Sequence, residues 1–226
     1  MAGRVLAITG AFGVLGSAVA RAAAEQGARI ALIDFAKQGP TVDGALVLGG
    51  VDLTDAVQAG AALDAVVDHF AGLDALLNIA GGFAWQTLAD GAIDTWPALY
   101  RLNVLTAANA SRSAIPHLKR SAAGRIVNVG ANAALKASMG MGAYAASKAG
   151  VHALTQSLAE ELKGDNITVN AVLPSILDTP ANRADMPNDD PAKWVSPDDL
   201  AAVMLFLASE AATAVTGALV PVTGRV

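Results

Sequence analysis

The stretch Thr9-Gly10-Ala11-Phe12-Gly13-Val14-Leu15-Gly16 spaces three glycines at intervals of three residues, directly after the short apolar run Val5–Thr9. The alanine-rich residues Ser17–Gln26 follow and end before Gly27, which predicts a helix. Glycines in a strand-to-helix turn allow close backbone approach, and the helix N-terminus offers free N–H groups to a pyrophosphate. The stretch therefore predicts a dinucleotide-binding turn rather than an ordinary glycine-rich turn.

Strand and helix patterns alternate along the rest of the chain. Apolar runs predict seven strands, at Val5–Thr9, Arg29–Asp34, Leu46–Leu48, Ala75–Ile79, Arg125–Val129, Thr168–Leu173 and Ala218–Val222. Helical patterns lie between them, from a cap at Thr54 to Phe70, over Thr95–Leu118 with an interruption near Pro97, over Ala143–Leu162, and from a cap at Ser196 to Ser209. This alternation is typical of the α/β class, in which helices cover both faces of a parallel sheet.

The composition shows no break that would mark a domain boundary, so we expect one domain over residues 1–226. The segment Ser175–Pro197 departs from the regular pattern, because it contains four of the nine prolines and several acidic residues. A long irregular segment inside a compact domain is usually functional. We therefore predict that residues 175–197 form a substrate lid or loop.

Charge and residue usage exclude several classes of function. The net charge is −5 and the chain has no long basic run, which argues against nucleic acid and anionic membrane surfaces as partners. The chain has no cysteine, and His69, His117 and His152 lack metal-ligand spacing, so no metal site is expected. The first residues lack the pattern of a signal peptide, and no apolar run resembles a membrane span, so a cytoplasmic location is expected.

Asp34 ends the second predicted strand, 18 residues after Gly16. A carboxylate at this place accepts hydrogen bonds from the ribose hydroxyls of NAD and repels the additional phosphate of NADP. No Arg or Lys stands at Ala11 or Phe12 to offset that repulsion, although Lys37 lies nearby. The sequence therefore favours NAD(H) over NADP(H), and Lys37 leaves the second cofactor open.

Tyr144 and Lys148 are four residues apart in a predicted helix and so share one of its faces. A free phenol titrates near pH 10, and a nearby ammonium group lowers that pKa by up to roughly three units. Such a tyrosine acts as a general acid and base near neutral pH. The pair also fits an amphipathic surface, but its occurrence with the glycine turn favours catalysis.

Five motifs resemble the short-chain dehydrogenase/reductase family: the glycine turn, Asn78-Ile79-Ala80-Gly81, Asn103, Tyr144-x-x-x-Lys148 and Pro174-Ser175-Ile176-Leu177-Asp178-Thr179. The resemblance covers nearly the whole chain and implies a Rossmann-like doubly wound parallel sheet of about seven strands, usually in a homotetramer or homodimer. It implies that Tyr144 transfers a proton, that Lys148 lowers the pKa of Tyr144 and holds the nicotinamide ribose, and that Asn103 anchors a water molecule. The implied cofactor contacts are Gly10, Phe12, Gly13, Val14, Leu15, Gly16, Asp34, Asp52, Leu53, Asn78, Ala80, Gly81, Tyr144, Lys148, Pro174, Leu177 and Thr179.

One position departs from the family pattern. The usual catalytic serine lies thirteen residues before the tyrosine, and this chain has Ala131 there. An alanine has no hydroxyl to hold a substrate carbonyl. Asn132 and Ser138 are the candidates to replace it, although neither occupies the matching position.

The dihydropteridine reductase branch of the family also has alanine at that position. Local similarity to this branch includes Gly130–Leu135 and the segment from Leu177 to Trp194. A quinonoid dihydropterin takes a hydride and a proton and needs less carbonyl polarisation than a ketone. Residues proposed to contact the substrate are Ala131, Phe83, Trp85, Met139 and Arg183, with Met141 and Trp194 as further candidates for the wall of a flat pocket.

Three functions follow from these observations. The first is an NADH-dependent reductase of a pterin-like or other conjugated small molecule. The second is a general carbonyl reductase or hydroxyl dehydrogenase, such as a 3-oxoacyl reductase, in which another group replaces the serine. The third is a cofactor-binding sensor or partner protein without catalysis, which Ala131 permits and the intact Asn103, Tyr144 and Lys148 argue against.

Overall fold

The computed structural model describes all 226 residues and contains one seven-stranded parallel sheet. The strands are β1 (Val5–Thr9), β2 (Arg29–Asp34), β3 (Leu46–Gly49), β4 (Ala75–Asn78), β5 (Gly124–Val129), β6 (Ile167–Pro174) and β7 (Leu219–Val222). Their order across the sheet is β3-β2-β1-β4-β5-β6-β7. The sheet confirms the predicted Rossmann-like doubly wound fold.

Seven α-helices accompany the sheet: α1 (Val14–Glu25), α2 (Ala56–Phe70), α3 (Thr95–Tyr100), α4 (Thr106–Leu118), α5 (Gly142–Glu161), α6 (Pro180–Asp185) and α7 (Pro197–Leu207). Helices α1 and α7 pack together on one face of the sheet, and α2, α4 and α5 cover the other. None of these helices combines the length and the apolar character that a membrane span requires.

The apolar runs form strands that are buried on both faces. In β1, Leu6 and Ile8 point toward α1 and α7, whereas Val5 and Ala7 point toward α2 and α4. Alternation between faces follows from the two-residue period of a strand. Because helices cover both faces, neither side of the strand needs polar residues.

Helix α1 begins at Val14, three residues before the predicted Ser17, and α7 ends at Leu207 rather than at Ser209. Two further differences have a local cause. The N-cap of α2 is Asp55, whose carboxylate accepts hydrogen bonds from Val57 and Gln58, and Thr54 bonds instead to Asp52. A carboxylate is as good an N-cap as a hydroxyl. Whether Thr54 or Asp55 caps the helix therefore depends on the conformation of the turn before α2. The predicted interruption lies not at Pro97 but at a π-helical turn over residues 101–105. Pro97 occupies the first turn of α3, where a missing N–H costs nothing.

The strand order reverses direction between β1 and β4. From β1 the chain continues outward to β2 and β3, and then returns to β4 on the other side of β1. A crevice opens at the carboxyl ends of the strands where two neighbouring connections leave in opposite directions. The glycine turn after β1 and the segment after β4 border this crevice.

Candidate active site

The glycine turn is fixed against the end of β4. Gly10 has a φ of +62°, and a Cβ atom there would lie 2.7 Å from the backbone nitrogen of Ala80. The hydroxyl of Thr9 accepts hydrogen bonds from the backbone N–H groups of Ile79 (3.0 Å) and Ala80 (3.1 Å). The turn therefore requires glycine at position 10, and the ends of β1 and β4 act as one unit.

Asp34 stands at the end of β2 beside the turn. One carboxylate oxygen accepts the N–H of Phe12 and the other accepts the N–H of Ala36, each at 2.9 Å. These bonds hold the half-buried carboxylate at the edge of a cavity of about 710 Å³. The negative charge of Asp34 thus faces one end of that cavity.

Most of the residues predicted to bind cofactor line this first cavity. They are Gly10, Gly13, Val14, Leu15, Gly16, Asp34, Asp52, Leu53, Ala80, Gly81, Leu177 and Thr179. The cavity begins at Asp34 and runs past the start of α1 toward Gly81.

Five predicted cofactor residues do not line the first cavity: Phe12, Asn78 and Pro174, and also Tyr144 and Lys148, whose positions are described below. The ring of Phe12 turns away from it and packs on Gly39. Asn78 is buried below the crevice, where its amide nitrogen bonds to Ser111 at 3.1 Å and to Asn128 at 2.8 Å. Asn78 is still within β4, so its side chain points toward a covering helix rather than past the strand end. Pro174 lies on the neighbouring cavity.

That second cavity, of about 770 Å³, contains Tyr144. The ring of Phe83 meets the Tyr144 ring edge to face, with centroids 4.9 Å apart. Both cavities are lined by Leu15, Val129 and Leu177, so they adjoin there. A ligand extending through the first cavity would reach the neighbourhood of Tyr144.

Lys148 lies one helical turn after Tyr144 and is 5% exposed. Its ammonium donates a hydrogen bond to the backbone oxygen of Val129 at 2.8 Å. Burial lowers the pKa of Lys148 to about 8 and raises the pKa of Tyr144 to about 12. The predicted lowering of the tyrosine pKa is thus absent from this structure, because desolvation dominates and the ammonium bonds to the strand end.

Asn103 lies in the π-helical turn and is almost fully buried. Its amide oxygen accepts the N–H of Gly82 at 2.8 Å, and its amide nitrogen donates to the oxygen of Gly82 and to the hydroxyl of Ser147. A Cβ on Gly81 would lie 2.5 Å from the Asn103 amide oxygen and 3.4 Å from the Lys148 nitrogen. Asn103 therefore joins the loop after β4 to the helix of Tyr144, a connection that the sequence did not predict.

A polar face of α5 is bonded to residues 128, 129 and 131, at the end of β5 and just after it. Thr155 accepts a bond from the Asn128 side chain at 2.8 Å, Lys148 donates to Val129, and His152 accepts the N–H of Ala131 at 3.3 Å. Burial and then the charge of Lys148 lower the pKa of His152. Residues 148, 152 and 155 have the spacing of one helix face, so their clustering follows from the sequence, whereas their partners at the end of β5 do not.

The proposed substrate residues divide into two groups. Ala131, Phe83 and Trp85 line the second cavity. Met139 is 78% exposed and lies off the cavity, although its backbone oxygen accepts the indole N–H of Trp85. Arg183 points to solvent and pairs with Asp178 through two hydrogen bonds, at 2.6 and 2.8 Å, because that carboxylate is its nearest partner.

The two other candidates for the pocket wall, Met141 and Trp194, also differ from each other in position. Met141 lines the second cavity, whereas Trp194, which belongs to the segment 175–197, is buried and lines neither cavity.

The segment 175–197 borders both cavities. It is more regular than expected, because Leu177 pairs with Val195 in a β-bridge and Thr179 caps α6 by accepting the N–H of Asn182. Leu177 and Thr179 face the first cavity, and Ile176 faces the second. Nowhere in the protein do three or more His, Asp or Glu side chains gather as a metal site would require.

Known proteins resemble this chain in fold and in sequence. A family model described as short chain dehydrogenase matches residues 4–190. The chain is 31% identical to the 3-oxoacyl-[acyl-carrier-protein] reductase of Thermotoga maritima, over 98% of this chain and 97% of that one. It is 32% identical to the meso-2,3-butanediol dehydrogenase of Serratia marcescens, over 98% and 93%.

A solved 3-ketoacyl-(acyl-carrier-protein) reductase from Brucella melitensis, complexed with NADH, superposes with a TM-score of 0.88. It is 28% identical, over 99% of this chain and 98% of that one. The matching fold, the extent of the family match and the identity to these relatives agree with one another. The chain therefore belongs to the short-chain dehydrogenase family and is an oxidoreductase.

Proposed function

We propose that this protein is an NAD(H)-dependent oxidoreductase that interconverts a carbonyl and a hydroxyl group on a small, mainly apolar substrate. The observation that carries the proposal is the junction of the two cavities at Leu15, Val129 and Leu177. The first cavity has the glycine turn and Asp34 at one end, and the second contains Tyr144. Cofactor and substrate would thus meet beside a proton-transferring residue.

The residues of the first cavity fit a dinucleotide. A Cβ at Gly10 or Gly16 would collide with neighbouring backbone, so both glycines leave room beside the start of α1. The free N–H groups there suit a pyrophosphate. Asp34 would bind the adenosine ribose, and Leu177 and Thr179 would border the nicotinamide end. When bound, the nicotinamide supplies or accepts a hydride.

Tyr144 would supply the proton. A phenol whose pKa is about 12 is fully protonated at neutral pH, so it can donate to a substrate oxygen that gains negative charge. The buried ammonium of Lys148, one turn along α5, would stabilise the phenolate that remains. In the reverse direction the phenolate takes the proton from the alcohol.

Asp34 supports NAD(H) rather than NADP(H). Both of its oxygens are oriented by backbone N–H groups, and the carboxylate borders the cavity. A phosphate at that place would meet like charge, and Lys37 is exposed without an ion pair to Asp34. We expect Asp34→Ala to narrow the preference for NADH over NADPH by roughly tenfold or more. Titration of cofactor fluorescence measures both affinities.

A quinonoid dihydropterin is the second candidate substrate. Ala131 favours it, because a conjugated ring that is already electron-poor depends less on a hydroxyl at this position. Phe83, Trp85 and Met141 give the cavity flat apolar walls. The 3-oxoacyl reductase and diol dehydrogenase among the relatives support the carbonyl alternative.

The decisive experiment follows NADH oxidation with 2,3-butanedione, an acetoacetyl thioester of N-acetylcysteamine and quinonoid 6-methyldihydropterin. The variant Tyr144→Phe should lose about 100-fold or more in kcat with unchanged affinity for NADH. Tyr100→Phe alters the only other tyrosine and should retain full activity. Full activity of Tyr144→Phe would refute the proposed proton transfer. NADH binding without turnover of any substrate would support a cofactor-binding sensor instead.

We further propose that the chain assembles as a homodimer or homotetramer through the helical stretch over residues 95–118 and through α5. Tyr100 and Leu102 are large apolar side chains that remain exposed on this side of the molecule. Light scattering after size exclusion measures the oligomer, and a monomer would contradict the proposal.

A further inference from the structure

We propose that Asn132 makes the hydrogen bond to the substrate oxygen that no hydroxyl at position 131 can make. The inference rests on the proposed function, because it concerns the oxygen that receives the proton from Tyr144. It assigns a residue that binds substrate and orients the reacting oxygen. Asn132 itself neither gains nor loses a proton.

Ala131 offers no group for this bond. Its methyl side chain borders the second cavity and is 3% exposed. Its backbone N–H is already used, since it donates to the imidazole nitrogen of His152 at 3.3 Å. A Cβ on Gly130 would lie 2.5 Å from the same imidazole nitrogen, so His152 sits tightly against this backbone. A donor for the substrate must therefore come from another residue.

Asn132 is the next residue and lies on the same cavity as Tyr144. It is half-buried, and its side-chain amide makes no hydrogen bond with the rest of the chain. All the other asparagine side chains that are not fully exposed are bonded, namely Asn78, Asn103, Asn109, Asn128, Asn170 and Asn182. Because partly buried amides are normally paired, the amide of Asn132 is available for a ligand.

An amide can perform both functions of the missing hydroxyl. Its nitrogen donates to a carbonyl oxygen during reduction, and its oxygen accepts from an alcohol during oxidation. The Tyr144 O–H bond breaks and the substrate O–H bond forms, while the amide only holds the oxygen in place. Since an amide does not titrate near neutrality, Asn132 would contribute equally across the working pH range.

Ser138 and Lys136 are competing donors on this cavity, but both lie in the exposed stretch 135–139, so the structure favours Asn132. The backbone around Asn132 is held by a 3₁₀ turn, in which Ala134 bonds to Ala131 and Leu135 bonds to Asn132 at 3.1 and 3.0 Å. Ser138 also reaches the cavity with a free hydroxyl, but it lies within the exposed stretch 135–139. A hydrogen-bond donor contributes most when it is already oriented.

The test compares Asn132→Ala with Ser138→Ala in NADH oxidation by 2,3-butanedione and the acetoacetyl thioester. Asn132→Ala should lower kcat/KM about 100-fold with unchanged NADH affinity, and Ser138→Ala should change it less than about threefold. The double variant Ala131→Ser/Asn132→Ala restores a hydroxyl at the family position and should recover at least about tenfold. Recovery of this kind would not follow if Asn132 had only a structural role.

Asn132→Asp keeps the shape of the side chain and so serves as a control for a folding defect in Asn132→Ala. An ionised carboxylate accepts but cannot donate, so carbonyl reduction should fall as in Asn132→Ala and recover as the pH approaches the carboxyl pKa. Normal kcat/KM in Asn132→Ala, or a large loss in Ser138→Ala alone, would overturn the inference. If the unmodified protein turns over no substrate, or Tyr144→Phe is fully active, the proposed function fails first.

Discussion

Lys148→Met should stabilise the protein while abolishing its activity. The ammonium of Lys148 is buried and hydrogen-bonded only to the oxygen of Val129. Burial lowers its pKa from 10.5 to about 8, which means that the folded protein carries this charge at a cost of about 3 kcal/mol at neutral pH. Methionine occupies a similar volume without a charge. Loss of the bond to Val129 offsets about 1 kcal/mol of the gain.

The pH dependence isolates the contribution of the charge. Between the two pKa values the unfolded chain still binds the proton that the folded chain has released, so the unmodified protein gains stability as the pH rises from 8 to 10.5. Near pH 9.5 only about 1 kcal/mol of the cost remains. The advantage of Lys148→Met should therefore shrink by about 2 kcal/mol, or roughly 4 to 8 °C in Tm, between pH 7 and about pH 9.5.

Thermal unfolding followed by circular dichroism at both pH values measures this difference. Lys193→Met is the matched control, because Lys193 is exposed and its side chain makes no hydrogen bond, so its substitution should leave Tm nearly unchanged at both pH values. NADH oxidation should be lost only in Lys148→Met. If the Tm difference between Lys148→Met and the unmodified protein is independent of pH, the charge of Lys148 is not what destabilises the fold.

Three further predictions concern the same crevice. Gly10→Ala should prevent NADH binding and lower Tm because of the collision with Ala80, whereas Gly44→Ala, at a φ of +74° with no atom within 4 Å, should cost only about 1 kcal/mol. Asn103→Ala should lower Tm by roughly 6 to 12 °C, since it removes bonds to two segments at a cost of about 3 kcal/mol; a shift below about 2 °C would contradict that role. The folded pKa of His152 lies below 6.5, so stability falls as the pH drops below 6.5, and His152→Gln should weaken that fall in a series of Tm measurements from pH 7 to 5.

The sequence predicted the sheet and the first cavity because both depend on local patterns. Apolar runs and the glycine spacing determine β1 and the start of α1 without reference to distant residues. The directions of the Asn78 and Arg183 side chains could not be predicted from local patterns. Whether Asn78 faces the crevice depends on where β4 ends, and whether Arg183 faces substrate depends on Asp178, which lies five residues earlier.

Contacts between separate segments were the least predictable. Nothing in the local sequence around Asn103 shows that its amide joins Gly82 to Ser147, since 21 and 44 residues separate these partners from Asn103. The pKa values of Tyr144 and Lys148 likewise depend on burial by the assembled fold, which spacing along a helix does not reveal.

The bonds between α5 and the end of β5 divide the site into a rigid half and a solvent-facing half. Lys148, His152 and Thr155 tie the helix of Tyr144 to residues 128–131, so neither side can shift without breaking several buried bonds. The opposite wall consists of Phe83, Trp85 and the segment 175–197, which meet solvent. Attempts to redirect this enzyme to larger substrates should therefore randomise that outer wall and leave the inner face of α5 untouched.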